Sequence, residues 1–206
     1  MKRNRKITLM IRHDFIFVTG ASGIGKSTLC NGLLNHYRTT LVEQHMVPEF
    51  ITRDGEEEMT GTLEELTCWE VHVAMMLKFH ELGYKNIIAA DIDDLRTADI
   101  PVVFKGYDYL TFKLVCHDTE QLQSQMRNRP NNSLIDYELQ AKMNMKNLAR
   151  NPLPNEIELD VTGKAADQVL KEAVRIIDST KSILEYDYVK PPKEMFYSWV
   201  FANGLR

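Results

Sequence analysis

The sequence predicts an α/β fold: a parallel sheet with helices on both faces. Three observations predict it. Short apolar runs alternate with stretches of helical periodicity along most of the chain, the order that gives parallel strands joined by crossover helices. The first run reads apolar on both faces, as a strand buried on both sides must. That run, Phe15-Ile16-Phe17-Val18, leads into Gly20-Ala21-Ser22-Gly23-Ile24-Gly25-Lys26-Ser27-Thr28, which matches G-x-x-x-x-G-K-[ST] in full and is followed by a helical pattern.

Strand, glycine loop and helix together are the context in which this match denotes a phosphate-binding P-loop. Gly20 and Gly25 are free to take backbone angles closed to other residues, so that N–H groups turn inward around phosphate oxygens. The following helix N-terminus adds partial positive charge. Lys26 is expected to reach the β- and γ-phosphates of a nucleoside triphosphate. The Ser27 hydroxyl is expected to hold Mg²⁺.

The chain's 206 residues suit one α/β domain that buries a sizeable core without disulfides. A net charge of −4 gives no reason to expect a nucleic-acid partner. Three cysteines without C-x-x-C spacing, Cys30, Cys68 and Cys116, argue for reduced thiols in a cytoplasmic protein and against a zinc site. No apolar run approaches the roughly 18 residues of a membrane span. Residues 1–13 form a basic tail, residues 14–180 the expected domain, and residues 181–206 an extension. The extension carries the cluster Phe196, Tyr197, Trp199 and Phe201, expected to pack on the domain or on a second subunit, so a homodimer is one candidate assembly.

Five strands are expected, at residues 14–19, Thr40 to Glu43, Asn86 to Ala90, Thr111 to Cys116 and Glu156 to Val161. The helix after the loop carries Leu29, Cys30, Leu33, Leu34 and Tyr37 at helical spacing. Thr62-Leu63-Glu64-Glu65 is a capping box for a long helix. Its core face is Leu63, Leu66, Trp69, Val73, Met76 and Leu77, and Gly83 is its stop. The stretch with Arg96, Pro101 and Gly106 reads as irregular. Asp118 caps a helix ending near Met126, and Ser133 caps another running to about Arg150. A last helix spans Lys164 to Asp178.

Ligands of such sheets bind beyond the carboxyl ends of the strands. The glycine loop lies at one such end and Asp91, closing the third apolar run, at another. An apolar strand ending in Asp holds a carboxylate near the metal that Ser27 would coordinate. Asp91 is the natural candidate, with Asp93 or Asp94 as alternatives facing the acceptor of a phosphoryl group. Arg127 and Arg129 fall in a polar segment between two helices, at about 127–133. There they are expected to close over the γ-phosphate as a lid. Arg53 is a candidate grip on an anionic acceptor. The six histidines show no metal-binding spacing and read as structural or surface positions.

These features together resemble the small P-loop kinases, the nucleoside and nucleotide kinase superfamily with its gluconate, shikimate and adenylylsulfate kinase relatives. The resemblance rests on Gly20 to Thr28, Asp91, the Arg127/Arg129 segment and Asp160-Val161-Thr162-Gly163, and covers about residues 14–178. It implies strand order 2-3-1-4-5, an acceptor-binding region at about Glu43 to Gly61, and a loop at Val161 to Lys164 bordering the adenine ring. It also implies ATP as phosphoryl donor with Mg²⁺, and a small-molecule acceptor, nucleoside-like, nucleotide-like or sugar-like. The fuller arginine and tyrosine pattern of guanylate kinases and the D-R-x motif of thymidylate kinases are absent, so the acceptor stays open, as does ATP against GTP. The alternative is a P-loop ATPase or nucleotide-dependent switch acting on a protein partner.

Overall fold

The computed structural model describes residues 12–50, 61–92, 94–127 and 137–191. Five strands form one parallel sheet: β1 (Phe15–Gly20), β2 (Leu41–Glu43), β3 (Ile87–Ala90), β4 (Tyr109–Val115) and β5 (Glu156–Asp160). Their order is β2-β3-β1-β4-β5, as the resemblance implies. The helices are α1 (Lys26–Tyr37), α2 (Gly61–Glu81), α3 (Asp94–Thr97), α4 (Ile100–Val103), α5 (Thr119–Arg127), α6 (Tyr137–Ala149) and α7 (Ala166–Ser179).

Alternation along each strand divides the core in two. Ile16 and Val18 join Ile88, Leu110, Phe112 and Leu114 on one face, under Leu29 and Leu33 of α1 and Val169, Ala173 and Ile177 of α7. Phe15 and Phe17 point the other way and pack with Ile87, Ala89 and Tyr109 under Trp69 and Met76 of α2. Phe104 stands edge-on to both phenylalanines, with ring centroids 4.8 and 4.9 Å away. Each such buried side chain is worth about 1.5–3 kcal/mol. This two-sided burial is why the strands read as continuous apolar runs.

Local signals set the helix ends. Asp118 Oδ1 accepts the N–H groups of Glu120 and Gln121 at 2.9 and 3.1 Å, which caps α5 as expected. Gly83, at φ +89, stops α2. Its N–H donates to the His80 carbonyl and the Tyr84 N–H to the Phe79 carbonyl.

Two expectations need correction. The stretch after β3 is not wholly irregular: it forms α3 and α4, each a single turn, with Pro101 in the opening turn of α4, where no N–H is needed. Such short helices carry too little periodicity to be read from sequence. Leu66 does not join the core; it is 40% exposed. The first turns of α2 stand over an open cleft rather than over the sheet. The expected caps at Thr62 and Ser133 lie outside the described side chains.

Helix α6 docks through hydrogen bonds more than through apolar contact. Gln140, Asn144 and Asn147 share its buried face. Asn144 pairs with both backbone groups of Cys116, just beyond β4. Lys113 of β4, 1% exposed, donates to the Asn147 and Arg150 carbonyls at 2.8 and 3.0 Å and pairs with Glu158 at 3.1 Å. It thereby caps the C-terminal end of α6 from inside the protein.

Residues 181–191 run back over the domain. Asn155 bonds both backbone groups of Ile183. Tyr186 bonds the Tyr109 hydroxyl and the Pro101 carbonyl, each at 2.8 Å, and Lys190 pairs with Asp99. The aromatic cluster further on lies outside the described residues. No described helix is long and apolar enough to cross a membrane.

Candidate active site

Strand register brings the carboxyl ends into one rim. Gly20 pairs with Leu114, Glu43 with Ala90, and Val115 with Asp160. The glycine loop therefore emerges at the centre of the sheet, with Glu43 and Asp91 on one flank and Asp160 on the other.

The loop is closely supported. Gly20 adopts φ +140, and a Cβ there would stand 2.9 Å from the Leu114 carbonyl oxygen. That is backbone against backbone, so only glycine fits. Gly25, at φ +107, turns the chain into α1. Lys26 Nζ donates to the Gly20 and Ala21 carbonyls at 2.9 and 3.1 Å, which places its ammonium across the loop. Ser27, in the first turn of α1, is exposed.

Asp91 follows β3 in the left-handed region, at φ +66, and its side chain is 54% exposed. Outside glycine this backbone is uncommon, and Asp and Asn tolerate it best. The conformation turns the carboxylate to the rim. There the His45 ring lies between two acids, Nδ1 at 3.4 Å from Asp91 Oδ2 and Nε2 at 3.8 Å from Glu43 Oε2. Lys26, Glu43 and Asp91 are close enough to act together on one buried group beneath them. Burial pushes the Cys30 thiol up to about 12, Glu43 and Asp91 add to the rise, and Lys26 opposes it. Burial lowers the His72 pKa on α2, opposed by the Val42 carbonyl and Asp91.

A cleft of about 790 Å³ opens on this rim. Gly20, Ser22, Lys26 and Asp91 line its floor; residues 44–45 and 47–50 form one wall, and Glu64, Glu65 and Cys68 of α2 the other. A second groove of about 390 Å³ lies across the loop, lined by Gly23, Gly25 and Thr28 and by Val161 and Lys164.

The expected site residues distribute as follows. Gly20, Ser22, Lys26 and Asp91 share the cleft, and Gly23, Ile24, Gly25 and Thr28 face the second groove. Ala21 is fully buried beneath the loop. Arg127 ends α5, exposed, with its guanidinium 5.7 Å over the Tyr137 ring. Asp93, Arg129 and Arg53 lie outside the described residues, and Asp94 opens α3. Glu43 and His45 fall inside the acceptor-binding region that the resemblance implies, but sequence reasoning gave neither a role of its own. The available signal was that β2, like β3, ends in an acid; a three-residue strand makes that signal faint. Cys68 lines the cleft rather than the core.

The order of the sheet, the crossovers and the glycine loop give a P-loop kinase-like fold. No protein-family model matches the chain, and no curated protein matches it in sequence. Solved structures do match. A sugar kinase from Janibacter sp. HTCC2649 superposes with a TM-score of 0.58 at 20% identity, over 80% of this chain and 94% of that one. A gluconokinase from Sinorhizobium meliloti 1021 gives 0.55 at 14% identity, over 79% and 90%. A thymidylate kinase from Candida albicans gives 0.52 at 18% identity, over 82% and 92%.

Proposed function

We propose that the protein is an ATP-dependent kinase that transfers the γ-phosphate to a hydroxyl group of a small molecule. The observation that carries this reading is that one cleft joins Lys26 and the glycine loop to Asp91, His45 and the walls formed by residues 47–50 and α2. A P-loop hydrolase needs room for water. A kinase needs a walled space for a second substrate beside the phosphates, and the cleft runs on from the loop between residues 47–50 and Glu64, Glu65 and Cys68 of α2. The kinase neighbours support the same reading.

In this reading the triphosphate lies on the loop, with its base towards the groove at Val161 and Lys164. Lys26 exchanges its two carbonyl partners for β- and γ-phosphate oxygens. Ser27 and Asp91 fit Mg²⁺, which takes hard oxygen donors, one or two carboxylates at most, and completes its shell with phosphates and water. When bound, the metal neutralises charge on the transferring phosphoryl group. Arg127 and Arg129 are proposed to meet the γ-phosphate oxygens. Asp93 remains the proposed alternative carboxylate. His45, backed by Glu43, lines the cleft where an acceptor hydroxyl would lose its proton. Catalysis is mostly positioning and electrostatics.

The acceptor half of the cleft carries Glu49, Glu64 and Glu65, and no Lys or Arg among the described residues beyond the loop. These carboxylates favour a neutral polyol or an amine-bearing acceptor; an anionic acceptor would call on Arg53, which lies outside the described residues. The test is acceptor-dependent ADP release across nucleosides, nucleotides, sugars and amino sugars. Stimulation by one acceptor class supports the kinase. Steady hydrolysis indifferent to every acceptor replaces it with the ATPase.

A further inference from the structure

We infer that Gln140 is a positioning residue for nucleotide binding: it sets the orientation of the Ser22–Gly23 peptide so that the Gly23 N–H faces the phosphates. Its amide Nε2 donates to the Ser22 carbonyl at 2.7 Å. Gln140 is 2% exposed, Ser22 is exposed, and the bond between them is part-buried; the same Nε2 also donates, at 3.4 Å, to the Leu122 carbonyl of α5, which fixes the amide from a second side. A peptide unit is planar, and none in the described chain is cis, so the C=O and N–H of one unit point in opposite directions. A donor that holds the Ser22 oxygen outward therefore turns the Gly23 N–H inward, to the concave side of the loop.

The geometry around Gly23 agrees. Its φ is +80, and a Cβ added there would stand 2.7 Å from Gln140 Nε2 and 2.6 Å from Met126 Cγ. The last turns of α5 and the first turn of α6 thus press on the outer side of one glycine of the loop. The placement of Gln140 is itself fixed. Asn144, one turn along, pairs with both backbone groups of Cys116, and Lys113 holds the far end of the helix. A helix docked by directional bonds cannot slide by a fraction of a turn without breaking them. The amide orientation is also determined: reversing it would set Oε1 against the Ser22 oxygen. Gln140 Oε1 is buried with no partner, so the side chain is retained at some cost to stability. A residue present only for packing would shed that cost as Met or Leu.

The inference rests on the loop holding a nucleoside triphosphate, and its test separates the two claims. Binding of ATP·Mg²⁺ to the full chain is measured by calorimetry, which needs no acceptor. Absence of binding to the unaltered protein overturns the nucleotide reading itself. With binding established, Gln140→Met, which keeps length and removes the donor, is expected to weaken ATP about 5- to 10-fold, the scale of one hydrogen bond. Gln140→Asn, which withdraws the amide by about 1.5 Å, is expected to do the same and serves if the Met variant fails to fold. The discriminating readout is the Gly23 amide resonance. In the unaltered protein ADP·Mg²⁺ should move it downfield; in the variant that displacement should shrink while that of Gly25 persists. Unchanged affinity and an unchanged Gly23 displacement, with only the melting temperature lowered, would make Gln140 a structural residue and overturn the inference.

Discussion

Replacing Asp91 separates what its backbone costs from what its carboxylate does. At φ +66 a residue with a Cβ is strained, by about 1–2 kcal/mol for most side chains and less for Asp or Asn. Its described side-chain partner is His45 at 3.4 Å, an exposed pair that is worth at most about 1 kcal/mol. Asp91→Asn should therefore leave stability within about 0.5 kcal/mol. Asp91→Ala should lose about 1 kcal/mol to the positive φ, or about 2–4 °C in melting temperature for a chain of this size. Asp91→Gly removes the strain but gives up about the same in unfolded-chain entropy, so it should fall close to the original protein. Turnover should order differently. All three variants lack the carboxylate, and all three should lose about 10²-fold or more, the scale of removing one preorganised electrostatic group. Urea unfolding and ADP release on the same preparations give both orders. An Asn variant that keeps turnover would refute the role assigned to the carboxylate. An Ala variant as stable as Asn would refute the backbone argument.

Lys113→Met leaves one buried and one part-buried carbonyl at the end of α6 without their donor and should cost about 2–4 kcal/mol in chemical denaturation. Asp14 governs part of the acid limb. Burial pushes its carboxyl up, but Lys85, the Asp108 N–H and His80 outweigh that and hold it below the usual carboxylate range. A folded-state value below the unfolded one means the stabilisation is present at neutral pH and is lost as pH falls through the folded value. Asp14→Asn should thus be less stable at neutral pH by about 1–2 kcal/mol, and the two proteins should converge near pH 3 or below. Cys30 and Cys116 are buried, whereas Cys68 lines the cleft with its thiol pushed up by burial and Glu64. A thiol reagent should modify Cys68 alone in the native protein, faster as pH rises, and a true acceptor should slow it.

The sheet was legible because its chemistry is redundant. Five apolar runs, a glycine loop and Asp118 at a helix start each point to the same architecture. Part of the candidate cleft was legible for the same reason: the glycines and Lys26 stand in fixed spacing, and Asp91 closes an apolar run that forms β3, so Gly20, Ser22, Lys26 and Asp91 were expected to share one rim. Glu43 and His45 escaped because their strand has three residues and because nothing local tells an acid at a strand end from one beginning a turn. Gln140 escaped for another reason. Its partner is a carbonyl 118 residues earlier, and no sequence pattern encodes which backbone oxygen a buried amide will meet. The polar stripe Gln140, Asn144 and Asn147 at helical spacing was the trace it left. The single-turn helices after β3 were hidden by their length.

In the proposed reaction a phosphoryl group passes from the nucleotide to a second substrate held in the acidic half of the cleft. Following the label from γ-³²P-ATP in the presence of a neutral or amine-bearing polyol acceptor tests it most directly. Label is expected in the acceptor, with transfer abolished by Lys26→Ala while the fold persists. Label released only as inorganic phosphate, at a rate no acceptor changes, or transfer that survives loss of Lys26, would contradict it.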